Sequence, residues 1–182
     1  MIVNIADYAV SRMLPPSEWV VRWVPRIALG GRVLDLAAGS GRHTQLLVES
    51  GLDVCAVDKN VSALAELTSF DAVSVLEYDL EQGGWPFEEG EFAGIVVTNY
   101  LHRPLFPHLL ASLAEEGVLI YETFAAGNEV YGKPGNPDFL LQPGELLKAF
   151  GERLRILGYE EKVINLPKPA KVQRICGVLT AK

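Results

Sequence analysis

The sequence predicts an α/β fold in which a doubly wound, mostly parallel sheet carries helices on both faces. Short apolar runs alternate with segments of helical periodicity, which is typical of parallel strands joined by helical crossovers. Acidic residues follow successive runs, and the carboxyl ends of parallel strands meet at one edge of a sheet. Two long strand-like runs close the chain, so an antiparallel hairpin is expected there.

The stretch 33–44, VLDLAAGSGRHT, predicts a buried strand, a glycine turn and the start of a helix. Asp35 is a charge inside an apolar strand, and a buried charge requires a partner or a function. Gly39 and Gly41 can adopt positive φ and let a ligand approach the main chain closely. The helix that follows is expected to end before Gly51, a residue typical of helix C-termini.

Two further acidic residues stand where strands end. Asp58 follows a short apolar run about 20 residues beyond Gly39, where a carboxylate can accept hydrogen bonds from both hydroxyls of a ribose. The alternative is an acidic residue favoured at a helix start, beside Asn60 as the cap. A third strand is expected over 73–77, and Asp79 after it can pair with the exocyclic amine of an adenine.

The glycine turn lacks the residues of a phosphate site. A dinucleotide fold favours a third glycine where this chain has Thr44, and a P-loop requires a lysine that does not follow here. The three acidic strand ends therefore predict a site for a nucleoside that carries an amino group and no phosphate.

These residues resemble the class I S-adenosylmethionine-dependent methyltransferases over about residues 15–182. The resemblance implies a Rossmann-like, three-layer α/β/α fold with a seven-stranded, mostly parallel sheet and an antiparallel C-terminal hairpin. It also implies S-adenosyl-L-methionine as the cofactor and S-adenosyl-L-homocysteine as the product. The tripeptide 58–60 is similar to the corresponding stretch of the small, tellurite-resistance type of methyltransferase.

The resemblance also implies roles for individual residues. Asp35 is tied to the amino-acid part of the cofactor, commonly through water, Asp58 holds the ribose, and Asp79 with Leu80 flanks the adenine. Ala38 stands where many relatives carry Cys or Gly. The implied cofactor-binding set is Asp35, Ala37, Ala38, Gly39, Ser40, Gly41, Asp58, Lys59, Asp79, Leu80 and Asn99.

The remaining elements follow from local patterns. A helix is expected over 16–27, with Trp19 and Trp23 on one face that packs on the sheet or closes over the cofactor. Pro143 suits the first turn of a late helix. The other predicted helices cover 42–50, 60–69, 106–113 and 143–150, and the strands cover 33–36, 54–57, 73–77, 92–98, 118–124, 153–165 and 172–181.

Residues at the end of the fourth strand are expected to face the methyl group and the acceptor. Asn99, Tyr100 and His102 are the catalytic candidates, although the helix-start interpretation of His102 is favoured over a general base. The adjacent Pro-Pro of amine and amide methyltransferases is absent, so a DNA-amine or protein-glutamine target does not follow. The aperiodic segment 125–142 predicts a lid, and the acceptor-pocket candidates at or beside it are Tyr121, Glu122, Asn128, Glu129 and Tyr131.

Composition and charge narrow the class of protein. The net charge is −7 and the basic residues are scattered, which disfavours a nucleic-acid substrate and favours a small-molecule acceptor. No apolar run approaches the ~20 residues of a membrane span, and the first thirty residues lack the pattern of a signal peptide. A cytoplasmic protein with two buried cysteines and no metal site is expected.

The length predicts a single methyltransferase domain over 1–182. Its expected parts are an N-terminal cap helix region over 1–30, a cofactor-binding core over 31–124, a lid over 125–142, and a C-terminal helix and hairpin over 143–182. Two other functions stay open, namely a non-catalytic S-adenosylmethionine-binding regulatory or scaffold protein and an NAD-dependent oxidoreductase. The oligomeric state does not follow from the sequence.

Overall fold

Seven strands form one sheet in the computed structural model, which describes residues 14–180. The strands are β1 (Arg32–Leu36), β2 (Asp53–Asp58), β3 (Val73–Glu77), β4 (Phe92–Thr98), β5 (Leu113–Phe124), β6 (Leu154–Ile164) and β7 (Ala170–Leu179). Their order is β3-β2-β1-β4-β5-β7-β6, and the first five are parallel while β7 runs antiparallel to both of its neighbours. The predicted mostly parallel sheet with an antiparallel C-terminal hairpin is confirmed.

Helices cover both faces of this sheet. They are α1 (Glu18–Trp23), α2 (Arg42–Glu49), α3 (Phe106–Ser112) and α4 (Glu145–Phe150). One apolar cluster joins Trp19 of α1 and Leu47 of α2 to one face, and another joins Leu109 of α3 and Phe150 of α4 to the opposite face. The predicted three layers are therefore present. None of the helices within residues 14–180 has the length and apolarity needed to cross a membrane.

Several predicted boundaries are wrong for identifiable reasons. The segment expected to be an α-helix over 60–69 is a 3-10 helix at Ser62–Ser69, which begins after the Asn60 side chain accepts a bond from the Ser62 N–H at 3.1 Å. Helix α4 begins two residues after Pro143, because Gly144 before it has a φ of 68°. Strand β5 starts earlier than expected and passes through Glu116, whose φ is 58°.

The N-terminal helix packs its tryptophan face on the sheet. The Trp19 and Trp23 rings meet edge to face at 5.6 Å, and the Trp19 indole N–H donates to the Ile175 carbonyl of β7 at 3.2 Å. A Cβ on Gly158 of β6 would lie 2.6 Å from the Trp23 ring, so the strand needs glycine there. Because α1 packs in this way, residues 14–17, which precede it, lie at the carboxyl edge of the sheet.

The glycine turn is fixed by packing beneath it. Gly41, at the start of α2, has a φ of 80°, and a Cβ there would lie 2.8 Å from the Leu64 side chain in the 3-10 helix. Gly39 has a φ of 56°, but only the Ala37 carbonyl oxygen lies near its missing Cβ, at 4.0 Å. Of the two predicted glycines, Gly41 therefore serves the packing of the loop, and Gly39 is the one with open space above it.

Alanine substitution should separate these two requirements. We expect Gly41→Ala to lower the free energy of unfolding by roughly 2–4 kcal/mol, since it combines a left-handed residue with overpacking. Gly39→Ala should cost only about 1–2 kcal/mol, because strain acts there alone. Urea denaturation measures both, with Gly84→Ala, which would meet no neighbour, as the control. Equal losses at positions 39 and 41 would contradict this division.

Candidate functional site

A cavity of about 850 Å³ opens at the carboxyl edge of the parallel strands. Its walls are the glycine loop after β1, the ends of β2, β4 and β5, the hairpin between β6 and β7, and the residues before α1. The edge on which the acidic strand ends were predicted to converge is therefore concave and accessible. Of the predicted site residues, it brings together Ala37, Ala38, Gly39, Ser40, Asp58, Asn99, Tyr100 and Glu122.

Asp58 joins the end of β2 to the glycine loop. Its Oδ2 accepts the Gly39 N–H at 2.8 Å, and its Oδ1 accepts the Asn60 N–H at 3.0 Å. The Ala38 N–H also donates to the Val57 carbonyl at 3.0 Å, so the loop is fastened to β2 at two points. A carboxylate offers about four lone-pair positions. About two of those on Asp58 therefore remain for a ligand in the cavity.

Asp35 lies beneath the loop and outside the cavity lining. It is 1% exposed, and its Oδ2 accepts the Thr44 hydroxyl at 2.6 Å. Burial raises the pKa of Asp35 from 3.8 to about 6, against the lowering effects of the Thr44 bonds and of Arg42. Asp35 thus holds the first turn of α2 to the end of β1. Because Asp35 is buried and does not line the cavity, it can interact with a ligand there only indirectly, through intervening groups.

Asn99 and Tyr100 form the corner where β4 ends. Asn99 has a φ of 55°, a strained value for a residue with a side chain, and its N–H donates to the Glu122 carbonyl at 2.9 Å. Burial, and then the charges of Glu81 and Asp79, raise the pKa of Tyr100. His102 precedes a 3-10 turn and does not line the cavity.

A buried polar network closes the wall opposite Asp58. Glu122 of β5 faces Arg174 of β7, with Oε2 accepting from Nη1 at 3.0 Å, and both side chains are less than 10% exposed. The other carboxylate oxygen accepts the Ser17 hydroxyl at 2.8 Å. Arg174 also binds Glu160 and lies 4.9 Å from the Trp19 ring centre. The pair therefore fixes the approach to α1 against the sheet.

His43 extends the same network to the end of β4. Its Nε2 accepts the Ser17 N–H at 3.0 Å, so the proton of the neutral ring is assigned to Nδ1, which lies 3.1 Å from the Thr98 hydroxyl. Burial and the neighbouring Arg42 lower the pKa of His43 to about 3. The imidazole is consequently neutral, and both of its nitrogens are engaged.

The structure places the other predicted residues away from the cavity. The Tyr121 hydroxyl donates to the Tyr100 carbonyl at 2.9 Å within the core, and the Asn128 amide donates to the Pro134 carbonyl at 3.0 Å. The Glu129 carboxylate accepts the N–H of Gly127. The residues outside the lining of this cavity are Asp35, Gly41, Lys59, Asp79, Leu80, His102, Tyr121, Asn128, Glu129 and Tyr131.

Sequence reasoning missed His43, Ser17 and Arg174 as members of the site. A signal for Arg174 was present, because it is a charge inside an apolar strand, as Glu122 is. In an antiparallel pair two such charges are stable when they face each other. No comparable signal marks His43, which sequence analysis treats as an ordinary helical residue.

Comparisons with known proteins agree with this geometry. Residues 33–116 match a family model described as a methyltransferase domain. The chain is 37% identical over 95 residues to protein-L-isoaspartate O-methyltransferase of Chlorobaculum tepidum, a match covering 50% of this chain and 43% of that protein.

Solved structures of low sequence identity share the fold. TehB from Haemophilus influenzae superposes with a TM-score of 0.75 at 19% identity, covering 91% of this chain and 63% of that one. The 1,6-didemethyltoxoflavin-N1-methyltransferase of Burkholderia thailandensis, solved with 1,6-didemethyltoxoflavin and S-adenosylhomocysteine, gives a TM-score of 0.67 at 17% identity and covers 90% of this chain and 77% of that one.

Residues 33–116 thus match a methyltransferase domain, and the chain has the Rossmann-like fold of the methyltransferases it superposes on. The predicted fold is confirmed, and these matches support the predicted methyltransferase class and S-adenosylmethionine as its cofactor. The chain spans less than half of the curated relative and less than two thirds of the TehB chain.

The raised pKa of Asp35 should make stability depend on pH. The folded state binds more protons than the unfolded state between pH 3.8 and about 6, so the free energy of unfolding falls as pH rises through this window. Asp35→Asn lacks this loss and keeps an oxygen for Thr44. We expect the free energy of unfolding of Asp35→Asn to equal that of the native chain at about pH 4 and to exceed it by about 3 kcal/mol near neutral pH.

Urea denaturation of both chains across this pH range measures the difference. Asp53→Asn, an exposed carboxyl at the start of β2, is the matched control and should show no such gain. A difference between Asp35→Asn and the native chain that stays constant with pH would contradict a raised pKa at this position.

Proposed function

We propose that this chain transfers the methyl group of S-adenosylmethionine to a small-molecule acceptor in the cavity at the carboxyl edge of its sheet. The observation that carries the proposal is that Asp58 and the glycine loop are hydrogen-bonded to each other at the edge of the cavity. The Asp58 carboxylate, which has free lone pairs, stands beside the exposed backbone of Gly39. A ribose can bind such a carboxylate, and the amino-acid part of the cofactor can then lie along the backbone next to it. The matched domain, which contains both residues, supports this proposal.

The residues of the cavity fit the parts of this cofactor. Asp58 would bind the ribose hydroxyls, and the backbone at Ala37 to Ser40 would lie against the amino-acid part. Asp79 and Leu80, which stand after β3 and outside the cavity lining, would flank the adenine. Asn99, at the end of β4, would stand beside the methyl group. The cavity, at about 850 Å³, is within the usual 300–1,000 Å³ range of small-molecule sites.

Bound S-adenosylmethionine supplies an electrophilic methyl group on a sulfonium centre. The chain contributes position and the exclusion of water, which can account for about 7–11 kcal/mol of a barrier. His43 does not act as a base, because its Nε2 already accepts the Ser17 N–H. Glu122 is neutralised by Arg174. The acceptor atom should therefore present its lone pair without first losing a proton to either of these groups.

A small-molecule acceptor is also supported by charge. The net charge is −7, and polyanionic substrates such as nucleic acids are repelled by a chain of this sign. The 1,6-didemethyltoxoflavin-N1-methyltransferase that shares the fold was solved with 1,6-didemethyltoxoflavin bound, which supports an acceptor of this class.

A cytoplasmic location is part of the proposal. Cys55 and Cys176 are both buried free thiols, as is usual in a reducing compartment. Cell fractionation checks this location, and recovery of the chain in an oxidising compartment would contradict it.

Calorimetry with S-adenosylmethionine and S-adenosylhomocysteine tests the cofactor site. We expect binding by the native chain and at least ~10-fold weaker binding by Asp58→Asn, a loss of about 1.4 kcal/mol from hydrogen bonds to the ribose. Asp71→Asn, an exposed carboxyl after the 3-10 helix, should bind like the native chain. Thermal unfolding of each variant separates lost binding from lost structure.

Two outcomes would count against the proposal. No binding of either ligand by the native chain would remove the methyltransferase function. Equal binding by Asp58→Asn and the native chain would remove Asp58 from the ribose site. For transfer itself, the product to detect is S-adenosylhomocysteine, released only when cofactor and acceptor are both present.

A further inference from the structure

A second, smaller cavity of about 230 Å³ adjoins the first. The two share Asn99, Tyr100 and Phe124 in their linings, so the strained corner at the end of β4 stands between them. Pro134 and Phe139 of the segment 125–142 form the far side of the small cavity. Neither Asp58 nor any residue of the glycine loop lines it. The small cavity therefore lies beside the proposed cofactor site without being part of it.

The far side of this cavity is held in place by Arg103. Its guanidinium binds both oxygens of Glu145, at 2.6 and 2.9 Å, and donates to the carbonyls of Asp138 and Leu140 at 2.8 and 2.9 Å. Those two carbonyls flank Phe139 in the chain. Because Arg103 follows the corner at Asn99 and Tyr100, one side chain ties both walls of the cavity together. Arg103 is thus a positioning residue for Phe139.

The segment 125–142 is also held at its other end. The Asn128 side chain donates to the Pro134 carbonyl at 3.0 Å and accepts the Lys171 N–H of β7 at 3.1 Å. The predicted lid therefore contains two fixed points, and the cavity between it and the sheet has a defined shape. A shaped cavity is what a specific acceptor site needs.

The lining combines apolar surfaces with few polar groups. Phe124, Phe139, Pro134 and Leu101 supply the apolar surface. Within residues 14–180, no hydrogen bond engages the exposed Asn99 amide, which can therefore donate to or accept from a ligand.

The charge of the lining is negative. Glu81 lines the cavity, and its negative charge helps to raise the pKa of the Tyr100 hydroxyl. Asp79 lies close enough to contribute to the field at that hydroxyl. Among the residues that the structure describes, no Lys or Arg lines this cavity. An anionic ligand would therefore meet repulsion, whereas an N–H or O–H group would find an acceptor.

We propose that this small cavity binds the methyl acceptor, and that the acceptor is a single flat ring that carries an N–H or O–H group and no negative charge. The volume lies below the 300–1,000 Å³ typical of drug-sized ligands. Aromatic side chains favour a ring, and the Asn99 amide stands where the ring meets the cofactor site. This inference rests on the proposed function, because the acceptor must reach the methyl group past Asn99.

Ring compounds of different charge test the inference on the full chain saturated with S-adenosylhomocysteine. Aniline, phenol and benzoate are titrated by saturation-transfer NMR. Aniline and phenol should bind, and benzoate should bind about 3-fold to 10-fold more weakly because of Glu81. Glu81→Gln, which removes the charge and keeps the size of the side chain, should raise benzoate binding by a similar factor.

A matched pair of loop variants locates the binding. Phe139→Ala should weaken the binding of aniline and phenol about 3-fold to 10-fold, which is the effect of losing one aromatic contact. Val130→Ala, on the same segment, exposed and outside both cavities, should leave them unchanged. Phe139 is 50% exposed, so its loss does not remove a core side chain. S-adenosylhomocysteine affinity is measured for every variant and should stay within about twofold.

The outcomes separate this inference from the proposed function. If S-adenosylhomocysteine does not bind the native chain, the proposed function fails and the inference with it. If it binds, but aniline and phenol do not, or if both loop variants bind them as the native chain does, only the inference is overturned. Benzoate binding equal to that of phenol would overturn the charge assignment.

Discussion

The buried ion pair between Glu122 and Arg174 is the interaction on which the shape of the site depends. Removing two charges from water is costly, and a buried pair is stable only when its geometry is good and its remaining hydrogen-bonding positions are filled. Here the Ser17 hydroxyl donates to Glu122 and Glu160 accepts from Arg174, and the Trp19 ring makes a cation–π contact with the Arg174 guanidinium. Breaking such a pair typically costs about 3–5 kcal/mol. One arrangement of β5, β7 and the approach to α1 is therefore strongly favoured over any other.

The two halves of the site are built by different means. On the proposed cofactor side, the backbone of the turn after β1 and the Asp58 carboxylate at the end of β2 form the surface. On the proposed acceptor side, side chains from the chain after β4, the end of β5 and the segment 125–142 form much of the surface. Ala37 and Asn99 mark the ends of β1 and β4, and each has a φ of 55°. Strain of this kind persists only where the surrounding structure enforces it.

The sequence was most informative where local pattern and topology decide the structure. Strands β3 and β4 have the predicted bounds, and Asp58 stands at the end of β2 as the glycine-to-acid spacing indicates. Parallel strands carry their ends to one edge, so the position of Asp58 needs no knowledge of distant contacts. The polar network could not be predicted in this way. Ser17 and Glu122 are 105 residues apart, and only the folded sheet makes them neighbours.

The segment 125–142 shows a second limit of sequence reasoning. Its composition indicates a loop, and Asn128, Glu129 and Tyr131 were the polar or aromatic residues that suggested chemistry. The folded chain uses Asn128 and Glu129 to bond the segment itself, while the apolar Phe139 and Pro134 line a cavity. Polar side chains in a loop often form hydrogen bonds with nearby backbone groups, and the sequence does not show which backbone groups the folded loop brings near them.

Two hydrogen bonds of the glycine loop, from the Gly39 N–H to Asp58 and from the Ala38 N–H to the Val57 carbonyl, also bear on kinetics. They fasten the glycine loop to β2 before any ligand arrives, so the surface proposed to receive the cofactor is already ordered. A preformed surface spares a ligand the entropy of ordering a loop, and that saving appears as affinity. Association is then limited by diffusion into the cavity and by orientation, and the lifetime of the complex becomes the quantity that substitutions in the loop change most.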